Sequence, residues 1–340
     1  MRRRTFFLGL TGLAGCTRDT RPRLNVFNWS NYVAENTIPN FEAEFGVRVR
    51  YAVYESNEEM FARVMSGNSG WDVVFPASYF LPPLLENNLV ARLRHERLPN
   101  LDRLEAVFRA PQWDPGLEWS VPYMWGSSGI LHHERVSPAP ASWADLWSAR
   151  LGGRMTMLDD PVEVFGACLK KLGYSINSDD PEELRLAQKE ALAQKPLLRA
   201  YLNAEVRDQV VAGDVLAAQA WATTAQQAIG ASGALRYVYP AEGFALYCDT
   251  AVILRESERQ ELAHRFLDYL LRPEVAAAVA AETYTATANG AARALLPAEL
   301  REDATLYPPA EVLARGEWIE PVPAGVQRLR DRLWTEVKSA

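Results

Sequence analysis

Apolar and polar positions along this chain follow two periods in turn. From Leu24 onward, strand-like runs such as RLNVFNW and VRVRYAVY alternate with segments whose apolar residues recur at helical spacing. In the first helical segment Ile38, Phe41 and Phe45 share one face, and Gly46 follows at a position that commonly ends a helix. Alternating strands and helices with short loops are typical of an α/β fold with a largely parallel sheet.

The same alternation continues through the rest of the chain. Strands are predicted for WDVVFPASY, GRMTML, DVLAAQAWA, ALRYVYP and FALYCDTAVIL, and WSVPYMWGSSGILHH is predicted to be extended. Helices are predicted for EEMFARVM with Asn57 as N-cap, for SWADLWSA, and from Pro161 to about Leu172 and Pro181 to Tyr201. Because no linker interrupts this pattern, two domains would have to be joined by crossing strands, for which WGSSGIL and LYCDTAV are the best candidates.

The N-terminal residues MRRRTFFLGLTGLAGC have the pattern of an export signal. A basic start precedes an apolar run that is far shorter than the roughly 20 residues of a membrane-spanning helix. The final LAGC fits the lipobox of bacterial lipoproteins. We therefore predict a lipoprotein signal peptide over residues 1–15, lipidation of Cys16 and a tether over residues 16–22. The RRTFFL run also resembles a twin-arginine signal, so the export route stays open.

The charge of the chain limits its partners. A net charge of −7 and a pI near 5.4 argue against nucleic acid, because a phosphate backbone requires a basic surface. The same acidity is compatible with a cationic ligand. Cys168 and Cys248 could pair in an oxidising compartment, but the sequence cannot show that they meet, and two buried thiols are expected.

Most catalytic chemistries lack support in the sequence. The four histidines are scattered, and neither His-x-x-x-His nor Cys-x-x-Cys spacing occurs, so no metal site is expected. The turns GNSG, GSSG and GASG match no phosphate loop, dinucleotide fingerprint or nucleophile elbow, so neither a cofactor nor a serine nucleophile is expected. A glycosidase with paired carboxylates and stacked aromatic rings remains the competing enzyme hypothesis.

Aromatic residues and carboxylates gather where the predicted strands end, which is where open α/β sheets place their ligand groups. Aromatic ring faces attract ammonium groups, and carboxylates neutralise them, so this combination suits an organic polycation. The residues at these ends are Trp29, Ser30, Tyr32, Ser78, Tyr79, Trp125, Trp221, Tyr247 and Asp249.

The run LDDPVEVF adds two more candidate acids. Asp160 is predicted to be the N-cap of the helix that starts at Pro161, and Glu163 is predicted to complete a capping box. The helix dipole and the backbone N–H groups are then expected to hold both acids ionised, ready for ammonium groups. Asp159 is expected to be a structural acid.

These motifs, in this order, resemble the spermidine/putrescine-binding proteins of bacterial ABC importers. The resemblance runs from about Leu24 to Trp318 and is carried by NVFNWSNYV, YESNEEMFARV, WDVVFPASYF, SVPYMWGSSG, LDDPVEVF, YLLRPEVA and GEW. It implies the type II periplasmic-binding-protein fold, with two α/β lobes joined by crossing hinge strands, and no catalysis. The implied lobes are residues 22–130 plus 250–299, and residues 131–249 plus 300–340.

The resemblance also implies roles for individual residues. Trp29, Tyr32 and Tyr79 would line the cleft with Ser30 as a polar contact, and Trp221 and Tyr247 would sandwich the methylene chain. The implied ammonium partners are Asp160, Glu163 and Asp249. This chain departs from the family pattern at Ala77, Tyr247 and Ile319, and Tyr284 lies one position early with Thr285 in register.

The sequence therefore predicts a lipid-anchored binding protein, located in the periplasm or on the outer face of the cytoplasmic membrane. It would capture spermidine or putrescine and deliver it to an ABC permease, and it is expected to be a monomer. Three acids favour a triamine slightly. A binding protein of the same fold for a sugar or an amino acid is the nearest alternative.

Overall fold

Eleven strands and thirteen helices form the part of the chain that the computed structural model describes, residues 19–340. The predicted signal peptide and Cys16 lie outside these residues. The strands are β1 (Arg23–Trp29), β2 (Arg48–Tyr54), β3 (Val73–Val74), β4 (Val121–His133), β5 (Met155–Met157), β6 (Ala200–Tyr201), β7 (Ala217–Trp221), β8 (Leu235–Val238), β9 (Phe244–Ile253), β10 (Ala286–Thr287) and β11 (Gly316–Trp318).

The helices follow the predicted alternation. They are α1 (Thr37–Phe45), α2 (Asn57–Met65), α3 (Leu81–Glu86), α4 (Pro161–Leu172), α5 (Pro181–Gln194), α6 (Val206–Ala212), α7 (Ala222–Ala231), α8 (Gln260–Leu270), α9 (Pro273–Thr283), α10 (Gly290–Arg293), α11 (Ala298–Arg301), α12 (Ala310–Leu313) and α13 (Ala324–Ser339). None of them is long and apolar enough to cross a membrane.

The strands form two parallel groups at opposite ends of one path. The order is β2-β1-β3-β9-β4-β7-β5-β6, in which β1 is parallel to β2 and β3, and β5 is parallel to β6 and β7. Antiparallel pairs involve β4 or β9, such as β3 with β9 and β4 with β7. The predicted α/β class with parallel sheets is therefore confirmed.

Two long strands join the groups. β4 and β9 pair with each other from Val121 opposite Ala251 to Ser127 opposite Leu246. Beyond this shared stretch, β4 continues to pair with β7 and β8, whereas the other end of β9 pairs with β3. The two crossing segments proposed from the sequence thus lie where the two groups of strands meet. The lobe boundaries remain a prediction.

Separate apolar clusters lie beside the two groups of strands. One contains Phe27, Met60 and Val252 around β1, α2 and β9, and another contains Val210, Ala218 and Ala225 around α6, β7 and α7. A larger cluster includes residues of both crossing strands and connects the two parts. Cys168 and Cys248 are buried and unbridged, as expected.

Local differences from the predicted elements have physical causes. The N-cap of α2 is Ser56, whose hydroxyl accepts a hydrogen bond from the backbone N–H of Glu59 at 3.1 Å, and Asn57 is the first helical residue. The helix predicted to reach Tyr201 ends at Gln194. Pro196 lies in the short 3₁₀ turn that follows. The α-helix ends before it because proline has no N–H for the helical ladder and disfavours helix at the preceding residue.

Candidate functional site

A cavity of about 170 Å³ opens between the two groups of strands, where β1, β2, β7, β9 and the start of α4 meet. Among residues 19–340, no lysine, arginine or histidine lines it. The carboxylates that line it are Glu55, Glu58, Asp159, Asp160, Glu163 and Asp249. A concave site whose charged side chains are all negative favours a cationic ligand.

Nine of the ten ligand-contacting residues predicted from the sequence line this cavity, and Ser78 does not. Ser78 is 1% exposed at the start of the 3₁₀ turn that carries Tyr79 into the lining. Trp125, also a strand-end candidate, is buried and donates from its indole N–H to the carbonyl oxygen of Thr287 at 3.2 Å. The nine residues brought together are Trp29, Ser30, Tyr32, Tyr79, Asp160, Glu163, Trp221, Tyr247 and Asp249. Their contact with a ligand stays a prediction.

The first strand presents a fixed indole ring to the cavity. Trp29 ends β1, and its Nε1–H donates to the carbonyl oxygen of Phe75 at 2.7 Å. Its ring packs against that of Tyr54, with a centroid separation of 4.6 Å. The hydrogen bond and the ring contact both restrain the indole, whose remaining surface lines the cavity.

Asp249 is buried on crossing strand β9, with 7% of its surface exposed. Its Oδ2 accepts a hydrogen bond from the hydroxyl of Tyr32 at 2.6 Å, and the carbonyl oxygen of Tyr32 in turn accepts from Tyr123 at 2.7 Å. Burial raises the pKa of Asp249 to about 7, and the hydrogen bond from Tyr32 acts in the opposite direction. This carboxylate is oriented by the protein but has no cationic partner within residues 19–340.

Asp160 is the N-cap of α4, as predicted. Its Oδ1 accepts both cap hydrogen bonds, from the backbone N–H groups of Val162 at 2.8 Å and Glu163 at 3.1 Å. Burial raises the pKa of Asp160 although these two hydrogen bonds act to lower it. The cap therefore occupies one carboxylate oxygen and leaves Oδ2 for another partner.

Glu163 does not complete the predicted capping box. Its Oε1 accepts a hydrogen bond from the indole N–H of Trp221 at 3.0 Å, because the side chain turns toward β7 instead of the cap. Glu163 is 3% exposed, and its Oε2 is buried without a partner in the described chain. Burial and the charge of Asp160 raise the pKa of Glu163 to about 7, while the nearby hydroxyl of Ser128 and the indole N–H of Trp221 act to lower it. The predicted capping box is therefore absent, and the helix start does not hold the pKa of Glu163 at its ordinary value.

The side chain of Tyr247 lies against strand β4 at Gly126. A Cβ atom added to Gly126 would lie 2.4 Å from the hydroxyl oxygen of Tyr247 and 2.6 Å from its Cζ. Only a residue without a side chain leaves room for the phenol at this point of β4. Gly126 therefore helps to bring the Tyr247 ring into the cavity lining.

Sequence reasoning missed the acids that follow β2. Glu55 and Glu58 line the cavity, and Glu55 Oε2 accepts a hydrogen bond from the hydroxyl of Ser30 at 3.1 Å. Asn57, between them, donates to the Tyr79 hydroxyl at 3.2 Å. The signal in the sequence was that Glu55 and Glu58 follow a predicted strand, where ligand groups are commonly placed. Asp159 lines the rim and pairs with the ammonium of Lys338 at 2.7 Å, which fits its expected structural role.

No group of three or more metal-ligating side chains occurs within residues 19–340. The cavity instead contains oriented carboxylates beside aromatic rings, and one of these carboxylates, Glu163, has a buried oxygen without a hydrogen bond in the described chain. A buried ionised carboxylate without a partner is very costly, so each such group requires either a proton or a cation.

Comparisons with known proteins agree with this geometry. Residues 36–308 match the family described as "Bacterial extracellular solute-binding protein". The chain is 33% identical to the spermidine/putrescine-binding periplasmic protein of Escherichia coli (strain K12), with 92% of this chain and 91% of that protein covered. The resemblance recognised from the sequence is therefore confirmed.

Solved structures confirm the two-lobed α/β fold. A putative spermidine/putrescine ABC transporter from Listeria monocytogenes superposes with a TM-score of 0.89 at 29% identity, covering 93% of this chain and 98% of that one. The Tp0655 lipoprotein of Treponema pallidum superposes with a TM-score of 0.83 at 27% identity, covering 93% and 99%.

The raised pKa values of Glu163 and Asp249 predict a pH-dependent stability. Both carboxyls bind protons more tightly in the folded chain than at their ordinary values of 4.5 and 3.8. Their contribution is therefore fully present below about pH 4 and is lost as the pH rises through about 7. Urea unfolding of ligand-free protein at pH 4.5 to 8 should show this loss.

Glu163→Gln should reduce this pH-dependent loss of stability by at most about 3 kcal/mol. Asp102→Asn, at an exposed position, is the control, and an unchanged profile in Glu163→Gln would contradict the assignment.

Gly126→Ala should lower the free energy of unfolding by about 1–3 kcal/mol, because the new methyl group overlaps the phenol of Tyr247. Gly230→Ala is the matched control, since a Cβ there meets no atom within 4 Å. Adding Tyr247→Ala to Gly126→Ala removes the overlap, so the double variant should be more stable than the sum of the single effects. Strict additivity in denaturant unfolding would show that the two residues do not interfere.

Proposed function

This chain belongs to the family of bacterial extracellular solute-binding proteins, and from that premise we propose that its cleft captures a linear polyamine, spermidine or putrescine, for an ABC importer. One observation carries the proposal. Glu163 has a buried oxygen without a partner, in a cavity lined by six carboxylates and, among the described residues, by no basic side chain. The names of relatives that bind spermidine and putrescine support the same ligand class.

The proposed contacts differ for the ammonium groups of the ligand and for the methylene groups between them. Asp160, Glu163 and Asp249 would receive the ammonium groups, each of which gains roughly 4 kcal/mol from a carboxylate 4 Å away at an effective dielectric of about 20. Each methylene group gains about 0.8 kcal/mol when it leaves water. The rings that would cover the methylene groups are Trp29, Tyr32, Tyr79, Trp221 and Tyr247.

Binding would be coupled to proton release. Burial raises the pKa of Glu163 and of Asp249 to about 7, so protons partly neutralise them near neutral pH. An incoming ammonium favours the ionised form and displaces the proton. The lobes, residues 22–130 plus 250–299 and residues 131–249 plus 300–340, would close around the ligand and open to release it.

A binding role is favoured over the alternatives. The carboxylate of an amino acid ligand would be repelled by the six carboxylates of the lining, and the described lining has no basic side chain to pair with it. A sugar would use the aromatic rings but would not require six carboxylates around one groove. The relatives are named as binding proteins, which supports transport without turnover rather than glycoside hydrolysis.

The proposed location is outside the cytoplasmic membrane, with a lipid anchor at Cys16. The LAGC run and the basic, apolar segment before it support this anchor. A relative of the same fold is named as a lipoprotein. The mature protein would then act as a tethered monomer that hands its ligand to the permease.

Calorimetry tests the ligand directly. The protein should bind spermidine and putrescine, and neutral sugars should give no heat. Glu163→Gln and Asp249→Asn should each weaken spermidine binding by about 1–3 kcal/mol, because each removes one charge-assisted contact.

Asp159→Asn serves as the control, because Asp159 already pairs with Lys338, and it should leave the affinity almost unchanged. Absence of heat with either polyamine would refute the proposal. Release of product from a panel of chromogenic glycosides would instead support an enzyme.

The lipid anchor has a separate test. Mass spectrometry of the membrane fraction should show an acylated N-terminal peptide that begins at Cys16, and Cys16→Ser should release the protein from the membrane. An unmodified N-terminus in a membrane-free fraction would refute the anchor while leaving the binding function intact.

A further inference from the structure

Two hydrogen bonds join helix α7 to the end of helix α9 beside the cleft. The side-chain amide of Gln227 donates through Nε2 to the backbone carbonyl oxygen of Thr283 at 2.9 Å. The hydroxyl of Thr223 donates to the hydroxyl oxygen of Thr285 at 3.3 Å. We call these four residues the latch, because they connect two helices that are 56 and 62 positions apart at the bonded residues.

The two donors of the latch share one face of α7. Thr223 and Gln227 are four positions apart, and residues at this spacing are neighbours on a helix surface. The orientation of the Gln227 amide is fixed by chemistry, because the carbonyl oxygen of Thr283 accepts a hydrogen bond only from the NH₂ side. Both donor residues also line the cavity. One face of α7 therefore borders both the ligand space and α9.

The acceptors of the latch are groups that the end of α9 leaves available. Thr283 is the last residue of α9, so its carbonyl oxygen has no partner within the helix. Tyr284 then turns the chain in the left-handed region, with a φ of 55°. The hydroxyl of Thr285 donates back to the carbonyl oxygen of Thr283 at 3.4 Å. Thr283 and Thr285 are 4% and 1% exposed, so these acceptors are shielded from water and depend on protein donors.

The two helices of the latch belong to different parts of the fold. Helix α7 packs against α6, β7 and β8, whereas α9 packs against α8, α10 and β10. In the proposed lobes, α7 lies in the lobe that includes residues 131–249, and α9 lies in the lobe that includes residues 250–299. The latch therefore bridges the two lobes.

We propose that the latch forms when the two lobes close around the ligand, and that it slows release of the bound polyamine. This inference rests on the proposed function. An increase of about 1 Å in the distance between donor and acceptor is enough to lose such a hydrogen bond. Rotation of the lobes about β4 and β9 therefore breaks the latch, and closure restores it.

The latch acts on closure rather than on the choice of ligand. Its bonds join protein to protein, so its contribution to the closed state is the same for every polyamine in the cleft. Glu163 and Asp249 would instead face the ammonium groups and discriminate between ligands. The latch therefore sets the residence time of the ligand without changing the preference between spermidine and putrescine.

Stopped-flow measurement of tryptophan fluorescence on the full-length protein tests the latch, because Trp29 and Trp221 line the cavity. Gln227→Met removes the amide and keeps the length of the side chain. It should raise the dissociation rate constants of spermidine and putrescine by the same factor, about three- to tenfold. The association rate constants should stay almost unchanged. Thr223→Val removes the other donor and should act in the same direction, with a smaller effect because its hydrogen bond is longer.

Two variants at exposed positions are the matched controls. Gln112→Met changes a glutamine in a surface turn, and Thr335→Val removes a hydroxyl that donates to the carbonyl oxygen of Asp331 within its own helix. Neither control should change a rate constant.

The outcomes separate the latch from the proposed function. Unchanged release of both polyamines in the folded latch variants would overturn the inference, and if one variant failed to fold, the other would decide. A factor that differed between spermidine and putrescine would also overturn it, because it would indicate direct contact with the ligand. If the unmodified chain bound neither polyamine, the proposed function would fail instead.

Discussion

The site depends on carboxylates that the fold buries without neutralising them. Glu163 and Asp249 come from α4 and from a crossing strand, and each gives one oxygen to an aromatic side chain, Trp221 or Tyr32. Those hydrogen bonds fix the direction of each carboxylate but do not supply a positive charge. Burial therefore raises both pKa values to about 7, so each carboxylate favours either a proton or a nearby cation.

The scaffold makes this arrangement possible by crossing two strands beneath the cleft. β4 and β9 pair with each other and with strands of both groups, so the two groups are joined through them. Gly126 on β4 leaves space for Tyr247 on β9, and the ring of Tyr247 continues into the cleft lining. Two residues of crossing strand β9, Tyr247 and Asp249, therefore also line the cleft.

Negative charge reaches the cleft from three separate segments of the chain. Glu55 and Glu58 follow β2, Asp160 and Glu163 lie at the start of α4, and Asp249 lies on β9. Because no basic side chain of residues 19–340 lines the same cavity, these segments together give it an excess of negative charge that favours a cationic ligand.

Local sequence determined the elements of this protein and most of the residues that meet in its cleft. Helical spacing, Asp160 as an N-cap and aromatic residues at strand ends depend on neighbours along the chain, so their patterns can be recognised before folding. The tertiary structure decided the partners. Glu163 turns to Trp221, 58 positions away, and Asp249 meets Tyr32, 217 positions away, so neither the lost capping box nor the raised pKa values could be read from adjacent residues. The same holds for Glu58, which lines the cleft, and for Ser78, which does not, because burial and electrostatic surroundings are set by segments that only the folded chain brings together.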